Sequence, residues 1–161
     1  MTPMNTHALL LVLALGGLAV AGCASAPPAG PVAAQAIETG GLATLRAQQL
    51  AWNEGSVRGF MEVYARADSL TFLSVGNVRS GWEEAYYGYV RGYPDAEAMG
   101  RLTFSDLTVT PLSADRALAW GRWRLQRSGD PAGGGPGGLF SLILASTPDG
   151  WRVVHDHTSS E

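Results

Sequence analysis

The spacing of hydrophobic positions changes halfway along the chain. In the first half, apolar residues recur at intervals of three and four, which predicts helices over about residues 37–53, 57–67 and 82–93. A short alternating stretch at residues 68–75 predicts a strand between the second and third helices. The first half is therefore expected to be mainly helical.

The second half alternates apolar and polar residues with a period of two. This pattern predicts four long strands, over residues 101–112, 115–128, 139–147 and 150–158. The short turn-forming segments between them favour antiparallel neighbours. Three helices followed by a meander of strands are typical of an α+β fold, in which the helices cover one face of a curved antiparallel sheet and close it into a cone.

The N-terminal residues show a third pattern. An apolar run from Ala8 to Val20 is short and interrupted by glycine, which is typical of a signal peptide rather than a membrane span. The sole cysteine, Cys23, ends this run in a Val-Ala-Gly-Cys sequence that resembles the bacterial lipobox. That resemblance implies a lipoprotein signal peptide over residues 1–23 and lipidation of Cys23. The alternative is an ordinary secretory leader with a chance cysteine.

The residues after this cysteine predict how the protein is attached to the membrane. Residues 24–36 are small and rich in proline, with no apolar face, and predict a flexible tether to a globular domain over residues 37–161. Ala24 stands where an aspartate would resemble an inner-membrane retention signal. We therefore expect a lipid anchor in the bacterial cell envelope, at the outer membrane, with the domain facing the periplasm.

Composition narrows the classes of partner and chemistry. The 161 residues carry a net charge of -3 and no lysine, so we expect no nucleic-acid partner and no lysine-based catalysis. The glycine-rich segment at residues 129–138 lacks the Lys-Ser/Thr pair and following helix of a phosphate-binding loop. We interpret it as a hairpin loop and expect no cofactor.

Three motifs carry a resemblance to a known family. They are WNEG at residues 52–55, GRW at residues 121–123, and DGW at residues 149–151 followed by HDHTS at residues 155–159. Over about residues 40–160 the chain resembles the nuclear transport factor 2-like superfamily, particularly its SnoaL-like bacterial branch. The resemblance implies a helix-covered cone, a shape similar among isomerases, dehydratases, hydrolases, binding modules and oligomerisation domains.

Alternation along the last predicted strand separates its acid from its imidazoles. His155 and His157 fall on the same face as Val153, while Asp156 falls on the opposite face with Thr158. A His-Asp dyad is therefore excluded unless a bulge intervenes. The two histidines could share a metal ion only with a third ligand, and a carboxylate would have to supply it. The alternative is hydrogen bonding to sheet neighbours, and we expect no metal site.

The strand around residues 117–127 allows two orientations. Trp120 and Arg122 share one side and Trp123 takes the other, but periodicity does not decide which side faces inward. If Arg122 faces the cavity, it would be a buried cation, and Asp156 is the best candidate for its partner. The association domain of calcium/calmodulin-dependent kinases is similar to this fold and has an arginine at the place of Arg122, which implies a pocket position. The alternative is a solvated arginine on the outer face.

Helical residues complete the candidate site. Trp52 and Tyr86 are the helix residues that we expect to contact a ligand, because buried indole and phenol groups need polar partners. Gln49 lies within an apolar helix face, so it is either satisfied by backbone or aimed into a polar pocket.

Three functions remain open. The first is a lipid-anchored, dimeric domain whose conical pocket binds an unidentified small molecule; its ligand-binding residues would be Trp52, Tyr86, Trp120, Arg122 and Asp156. The second is a SnoaL-like isomerase, dehydratase or hydrolase, with burial raising the pKa of Asp156 so that it acts as general base. The third is an assembly module, in which an outer sheet face carrying Trp123 and Trp151 packs against a second copy to form a homodimer.

Overall fold

Helices make up most of the first half of the described chain. The structure, a computed structural model, describes residues 30–161, so Cys23 and the predicted leader lie outside the described residues. The helices are α1 (Pro31–Asn53), α2 (Val57–Met61), α3 (Trp82–Gly92) and α4 (Ala96–Met99). Among residues 30–161, none of these helices has the length and apolar character needed to cross a bilayer.

Within residues 30–161, six strands form one mixed sheet. They are β1 (Thr71–Ser74), β2 (Asn77–Ser80), β3 (Arg101–Pro111), β4 (Arg116–Gln126), β5 (Gly137–Thr147) and β6 (Gly150–Thr158). The strand order is β2-β1-β6-β5-β4-β3. β1 pairs with β6 in parallel and every other neighbouring pair is antiparallel. Helices packed on a predominantly antiparallel sheet confirm the predicted α+β fold class.

Helix α1 packs closely against the sheet because small residues face it. A Cβ atom on Gly41 would lie 2.8 Å from Cγ1 of Val109 and 3.1 Å from Cδ1 of Leu144. One turn further on, Leu45 is fully buried and continues the same face. Glycine costs helix stability, but here it lets the α1 backbone approach the strands more closely than a larger residue would allow.

The helix bounds differ from the predicted ones at two places. α1 begins at Pro31, within the segment predicted to be a tether, and its residues before Ile37 are largely exposed. α2 ends at Met61, because the chain then extends and pairs with β6: the Val153 N–H donates to the Val63 carbonyl, and the Ala65 N–H donates to the Val153 carbonyl. This tertiary pairing overrides the helical spacing of residues 57–67.

The sequence pattern missed strand β2. Residues 68–75 were expected to end at a turn leading directly to the third helix, whereas the chain forms a tight β1–β2 hairpin first. Val75 and Gly76 both have positive φ, 45° and 76°, at this turn. The four residues of β2 are mostly exposed, so they carry little alternating signal.

A bulge in β6 changes which residues face the core. Ile143 pairs with His155 but the next residue, Leu144, pairs with Val153, so Val154 is the extra residue. Val153 and Asp156 are consequently both buried. The prediction that Val153 shares a face with the histidines is wrong, because strict alternation does not continue through a bulge.

Candidate functional site: an aromatic cavity with a buried carboxylate

A cavity lies between the helices and the inner face of the sheet. It holds about 400 Å³, which suits a small organic molecule. Aromatic side chains dominate its wall: Trp52, Phe60, Tyr64, Phe72, Tyr89, Tyr93, Phe104, Trp123 and Phe140. The lining residues Val75, Gly92 and Ser160 are exposed, so the opening lies between the β1–β2 turn, the end of α3 and the C-terminal tail.

Asp156 is the acidic residue of the cavity wall. Its side chain is buried, with 3% of the residue exposed. The Tyr64 hydroxyl donates to Oδ2 at 2.7 Å, and the Thr158 hydroxyl donates to Oδ1 at 2.7 Å. Gln48 Nε2 in turn donates to the Tyr64 hydroxyl at 3.1 Å. The carboxylate is therefore held in a fixed orientation by a hydrogen-bonded chain that starts on α1.

Burial governs the acid-base behaviour of this carboxyl group. Desolvation raises the pKa of Asp156 from its ordinary value of 3.8 to about 6, although the hydrogen bonds from Thr158 and Tyr64 and the charge of His157 oppose the shift. A carboxyl group with a pKa near 6 is ionised at neutral pH and is readily protonated by a slightly acidic reaction partner.

The cavity tyrosines remain protonated at physiological pH. Burial raises the pKa of Tyr64 well above 10, and the neighbouring carboxylate of Asp156 adds to the shift. Burial and the charge of Asp156 also raise the pKa of Tyr89. Both phenols are therefore neutral. The hydroxyl proton of Tyr64 is donated to Asp156, and the Tyr89 hydroxyl can donate to a bound molecule.

Trp52 lines the cavity, as expected. Its indole N–H donates to the Met99 carbonyl at 3.1 Å, which fixes the ring. Phe60 and Tyr93 contact that ring edge to face, with centroids 4.9 and 4.7 Å away. The indole therefore forms a rigid aromatic wall and has no free donor for a ligand.

Trp120 and Arg122 do not line the cavity, which corrects the expectation that they would. Their strand places Ala119 and Leu125 in the core, so the alternate residues face outward. Arg122 is about half exposed and forms ion pairs with Asp106, at 3.4 Å, and Glu161, at 3.0 Å. Arg122 therefore does not pair with Asp156, and the outward alternative left open by the sequence is correct.

Tyr86 is also outside the cavity. Its ring stacks on Trp82 with centroids 5.0 Å apart, on the side of α3 away from the lining. The next residues of the same aromatic stripe, Tyr89 and Tyr93, take the predicted position instead. Helical spacing identified the correct stripe but placed the contact one turn too early.

Sequence reasoning missed both residues of the hydrogen-bonded chain that leads to Asp156, Gln48 and Tyr64. Gln49, for which the sequence left a pocket position open, accepts a backbone hydrogen bond from Phe104 at 2.6 Å. Its neighbour Gln48 is 2% exposed and lines the cavity. A signal for Gln48 existed, because it continues the helical spacing between Leu45 and Trp52. Tyr64 was assigned to a helix, so its position beside Asp156 had no sequence signal.

The histidines lie outside the cavity, whereas Trp123 and Trp151 pack against the hydrophobic core. His155 and His157 are partly or fully exposed on the face opposite Asp156. Within residues 30–161 there is no cluster of three or more metal-ligating side chains. Trp123 lines the cavity and donates to the Ser159 carbonyl at 3.0 Å, and Trp151 packs against Gly40 of α1. Neither tryptophan therefore provides the outer contact surface expected of an assembly module.

The comparisons with known proteins identify the fold family. No protein-family profile and no curated protein matches the sequence. A nuclear transport factor 2-like protein of unknown function from Shewanella oneidensis has a similar structure, with a TM-score of 0.68 and 33% identity over 75% of this chain and 97% of that one.

Two more distant solved structures share the fold alone. A cystatin-like domain of unknown function from Nostoc punctiforme gives a TM-score of 0.64 at 20% identity, over 78% of each chain. A putative calcium/calmodulin-dependent protein kinase type II association domain from Thiobacillus denitrificans gives 0.60 at 23% identity, over 74% of this chain and 94% of that one. Given its identity and coverage with the Shewanella protein, the chain belongs to the nuclear transport factor 2-like family.

Proposed function

We propose that this protein is a lipid-anchored domain of the bacterial cell envelope that binds a small molecule in its aromatic cavity. The observation that carries the proposal is the cavity itself: about 400 Å³, walled by aromatic rings, with one oriented carboxylate at Asp156. Ligand sites are typically concave and mostly apolar, with a few convergent polar groups that fix orientation. This cavity has each of those properties.

A pair of neighbouring variants tests binding in the cavity. Ser74 lines the cavity near its opening, whereas the adjacent Leu73 points to the other face of β1. The Ser74→Trp substitution should obstruct the cavity, and Leu73→Trp is the matched control. The probe is the uncharged fluorophore N-phenylnaphthylamine, which brightens in apolar surroundings.

The proposal predicts one saturable site in the wild type and a loss of at least about tenfold in affinity in Ser74→Trp, which corresponds to about 1.4 kcal/mol. Leu73→Trp should bind like the wild type. Absence of saturable binding by the wild type, or equal binding by the two variants, would overturn the proposal.

The proposal of a lipid anchor is based on the sequence around Cys23. The support is the apolar run that ends at Cys23 and the proline-rich stretch that follows it. In a bacterial host, the full chain should incorporate labelled fatty acid and fractionate with the outer membrane, and Cys23→Ala should incorporate none. Equal labelling of the two proteins would rule out lipidation at this residue.

A catalytic role is the second candidate, and it rests on the acid-base behaviour of Asp156. Its pKa of about 6 lies near physiological pH, where proton transfer to and from a general base is most effective. Tyr64 would hold the carboxylate in place by its hydrogen bond. If the protein is a SnoaL-like isomerase, dehydratase or hydrolase, Asp156→Asn should abolish turnover of its substrate but retain ligand binding. If Asp156→Asn retains both turnover and ligand binding, a catalytic role for Asp156 is excluded.

A homodimer formed through the outer sheet face is the third element of the proposal. Trp120 and Leu139 are 44% and 48% exposed on neighbouring strands, and they face away from the cavity. The two are diagonal neighbours, because Trp120 pairs with Ser141, two residues along β5 from Leu139. Neighbouring exposed apolar side chains on a sheet are typical of a surface that packs against a partner. A second copy of the chain is the partner that we propose.

A further inference from the structure

Two arginines line the cavity without an acidic partner. Arg79 lies on β2 and Arg127 directly follows β4. Both are half-buried. The ion pairs of the described chain, residues 30–161, involve other arginines, and neither Arg79 nor Arg127 takes part in one. The cavity thus contains two guanidinium groups whose charge is not neutralised by a neighbouring carboxylate.

Arg79 is held against the wall by packing. A Cβ atom on Gly88 of α3 would lie 2.7 Å from Nε of Arg79, so the absence of a side chain at Gly88 leaves room for the arginine to lie along the helix. Its guanidinium carbon is 5.9 Å from the centroid of the Phe72 ring. These contacts position the charge at the cavity while leaving its N–H groups available to a ligand.

Arg127 is fixed by one of its nitrogen atoms. Its Nε donates to the Ala98 carbonyl at 2.8 Å, and within residues 30–161 its terminal NH2 groups have no hydrogen-bond partner. The Arg127 guanidinium is close enough to Tyr93 to affect its titration. Burial raises the pKa of the Tyr93 phenol, and the charge of Arg127 opposes that shift. Tyr93 in turn stacks with Tyr89, at a centroid distance of 5.9 Å.

The acidic group of the cavity lies on a different strand from these cations. In the sheet register Arg79 pairs with Phe72, and Phe72 pairs with Asp156. Arg79 is therefore two strands from Asp156, a backbone separation of about 10 Å. Neither Arg79 nor Arg127 forms an ion pair with Asp156, so the cavity has a negative group at Asp156 and positive groups elsewhere on its wall.

We propose that the ligand is a small amphipathic anion: an apolar or aromatic body that carries a carboxylate, sulfonate or phosphate group. This inference rests on the proposed binding function. The anionic group would accept charge-assisted hydrogen bonds from Arg79 and Arg127, and the aromatic wall would enclose the apolar body. The part of the ligand nearest Asp156 would be a neutral hydrogen-bond donor such as a hydroxyl group, because a second anion there would be repelled.

Two probes with the same aromatic skeleton test the charge preference. Anilinonaphthalene sulfonate carries a negative charge, and N-phenylnaphthylamine is its uncharged counterpart. Each is titrated into the wild type and into Arg79→Gln and Arg127→Gln, with Arg122→Gln as the matched control. Arg122 is an arginine on the outer sheet face, outside the cavity lining.

The inference predicts that the wild type binds the sulfonate at least about tenfold more tightly than the uncharged probe, which is the effect expected of a single charge-assisted hydrogen bond. Arg79→Gln and Arg127→Gln should each weaken sulfonate binding several-fold and leave the uncharged probe unaffected. Arg122→Gln should change neither. Added salt should weaken only the sulfonate in the wild type, which tests the charge without any substitution.

The outcomes separate this inference from the proposed function. Equal affinity of the wild type for the two probes, or sulfonate binding that is insensitive to salt and to both cavity substitutions, would overturn the anionic ligand while the binding function stands. Absence of binding by either probe would overturn both. A sulfonate affinity that falls equally in Arg122→Gln would show binding at the outer surface and would also contradict the inference.

Discussion

The Tyr64 hydroxyl donates a 2.7 Å hydrogen bond to Oδ2 of Asp156 and thereby joins the segment after α2 to the last strand. Both residues are almost completely buried. The contact depends on two departures from regular structure, because α2 stops at Met61 and β6 contains a bulge at Val154. The orientation of the cavity carboxylate is therefore set by irregular backbone at two places in the fold.

Removing the Tyr64 hydroxyl should change the titration of Asp156. The hydrogen bond from Tyr64 lowers the pKa of Asp156, so Tyr64→Phe should raise that pKa above about 6. The variant also leaves Gln48 Nε2 without its partner, and we expect a loss of about 1–3 kcal/mol in the free energy of unfolding. Carbon NMR of the carboxyl group and denaturant unfolding measure the two effects.

The exposed Tyr87 provides the control for this substitution. Its side chain lies outside the cavity lining, so Tyr87→Phe should alter neither the pKa of Asp156 nor the stability by more than about 0.5 kcal/mol. An unchanged Asp156 titration in Tyr64→Phe would mean that the hydrogen bond does not influence the carboxylate.

The buried carboxyl group should make stability depend on pH in a specific direction. The pKa of Asp156 is raised in the folded protein, so its protonated form is favoured, and the associated stability is present below about pH 4 and lost as pH rises through about 6. A shift from 3.8 to about 6 corresponds to about 3 kcal/mol. Asp156→Asn cannot ionise and should escape this loss.

The measurement is the unfolding free energy of the wild type and Asp156→Asn from pH 4 to pH 7. The difference between them should move in favour of the variant by up to about 3 kcal/mol across that range. A difference that stays constant with pH would show that Asp156 titrates normally in the folded protein.

Adding a methyl group between α1 and the sheet should destabilise the fold. A Cβ on Gly41 would lie 2.8 Å from Val109, so Gly41→Ala should cost about 1–3 kcal/mol through overpacking, even though alanine favours helix. Gly92 has no atom within 4 Å of an added Cβ, so Gly92→Ala should be neutral or slightly stabilising. Thermal unfolding of both variants compares them; equal effects would show that α1 and the sheet are not closely packed.

The outer sheet face should control the oligomeric state. We expect the wild type to sediment as a dimer at micromolar concentration and Trp120→Glu as a monomer, because a charge would replace the exposed indole at the proposed contact. Leu50, which is 61% exposed on α1, provides the control: Leu50→Glu should still sediment as a dimer. A monomeric wild type, or a dimer that survives Trp120→Glu, would contradict the prediction.

The sequence predicted the long strands well because their side chains alternate between core and solvent. β3 to β6 fall within a few residues of their expected bounds, and the separation of Asp156 from His155 and His157 is correct. Short elements were less predictable. β2 has four mostly exposed residues, and the helical spacing around Tyr64 was overridden by pairing with β6.

The candidate site was predicted only in part, because periodicity shows which residues share a side of a strand but not which side faces the cavity. Alternation showed that Trp120 and Arg122 share a side, but the choice of inner side depends on how the sheet packs against α1. Arg79 had no sequence signal, since it lies on the unpredicted strand. Arg127 falls within the predicted strand at residues 115–128 and on the same side as Trp123, but periodicity alone does not show that this side faces the cavity. Their approach to one cavity is a property of the folded chain.

The central claim is that a small molecule binds inside the cavity, and NMR of methyl groups tests it most directly. The side chains of Leu102, Leu125 and Leu142 line the cavity. Leu139 and Ile143 lie on the outer face of the sheet, on the same strand as Leu142. On titration with N-phenylnaphthylamine, we predict saturable shifts of the three lining leucines with little change at Leu139 and Ile143. Shifts confined to Leu139 and Ile143, or no saturable shift at any of the five, would contradict it.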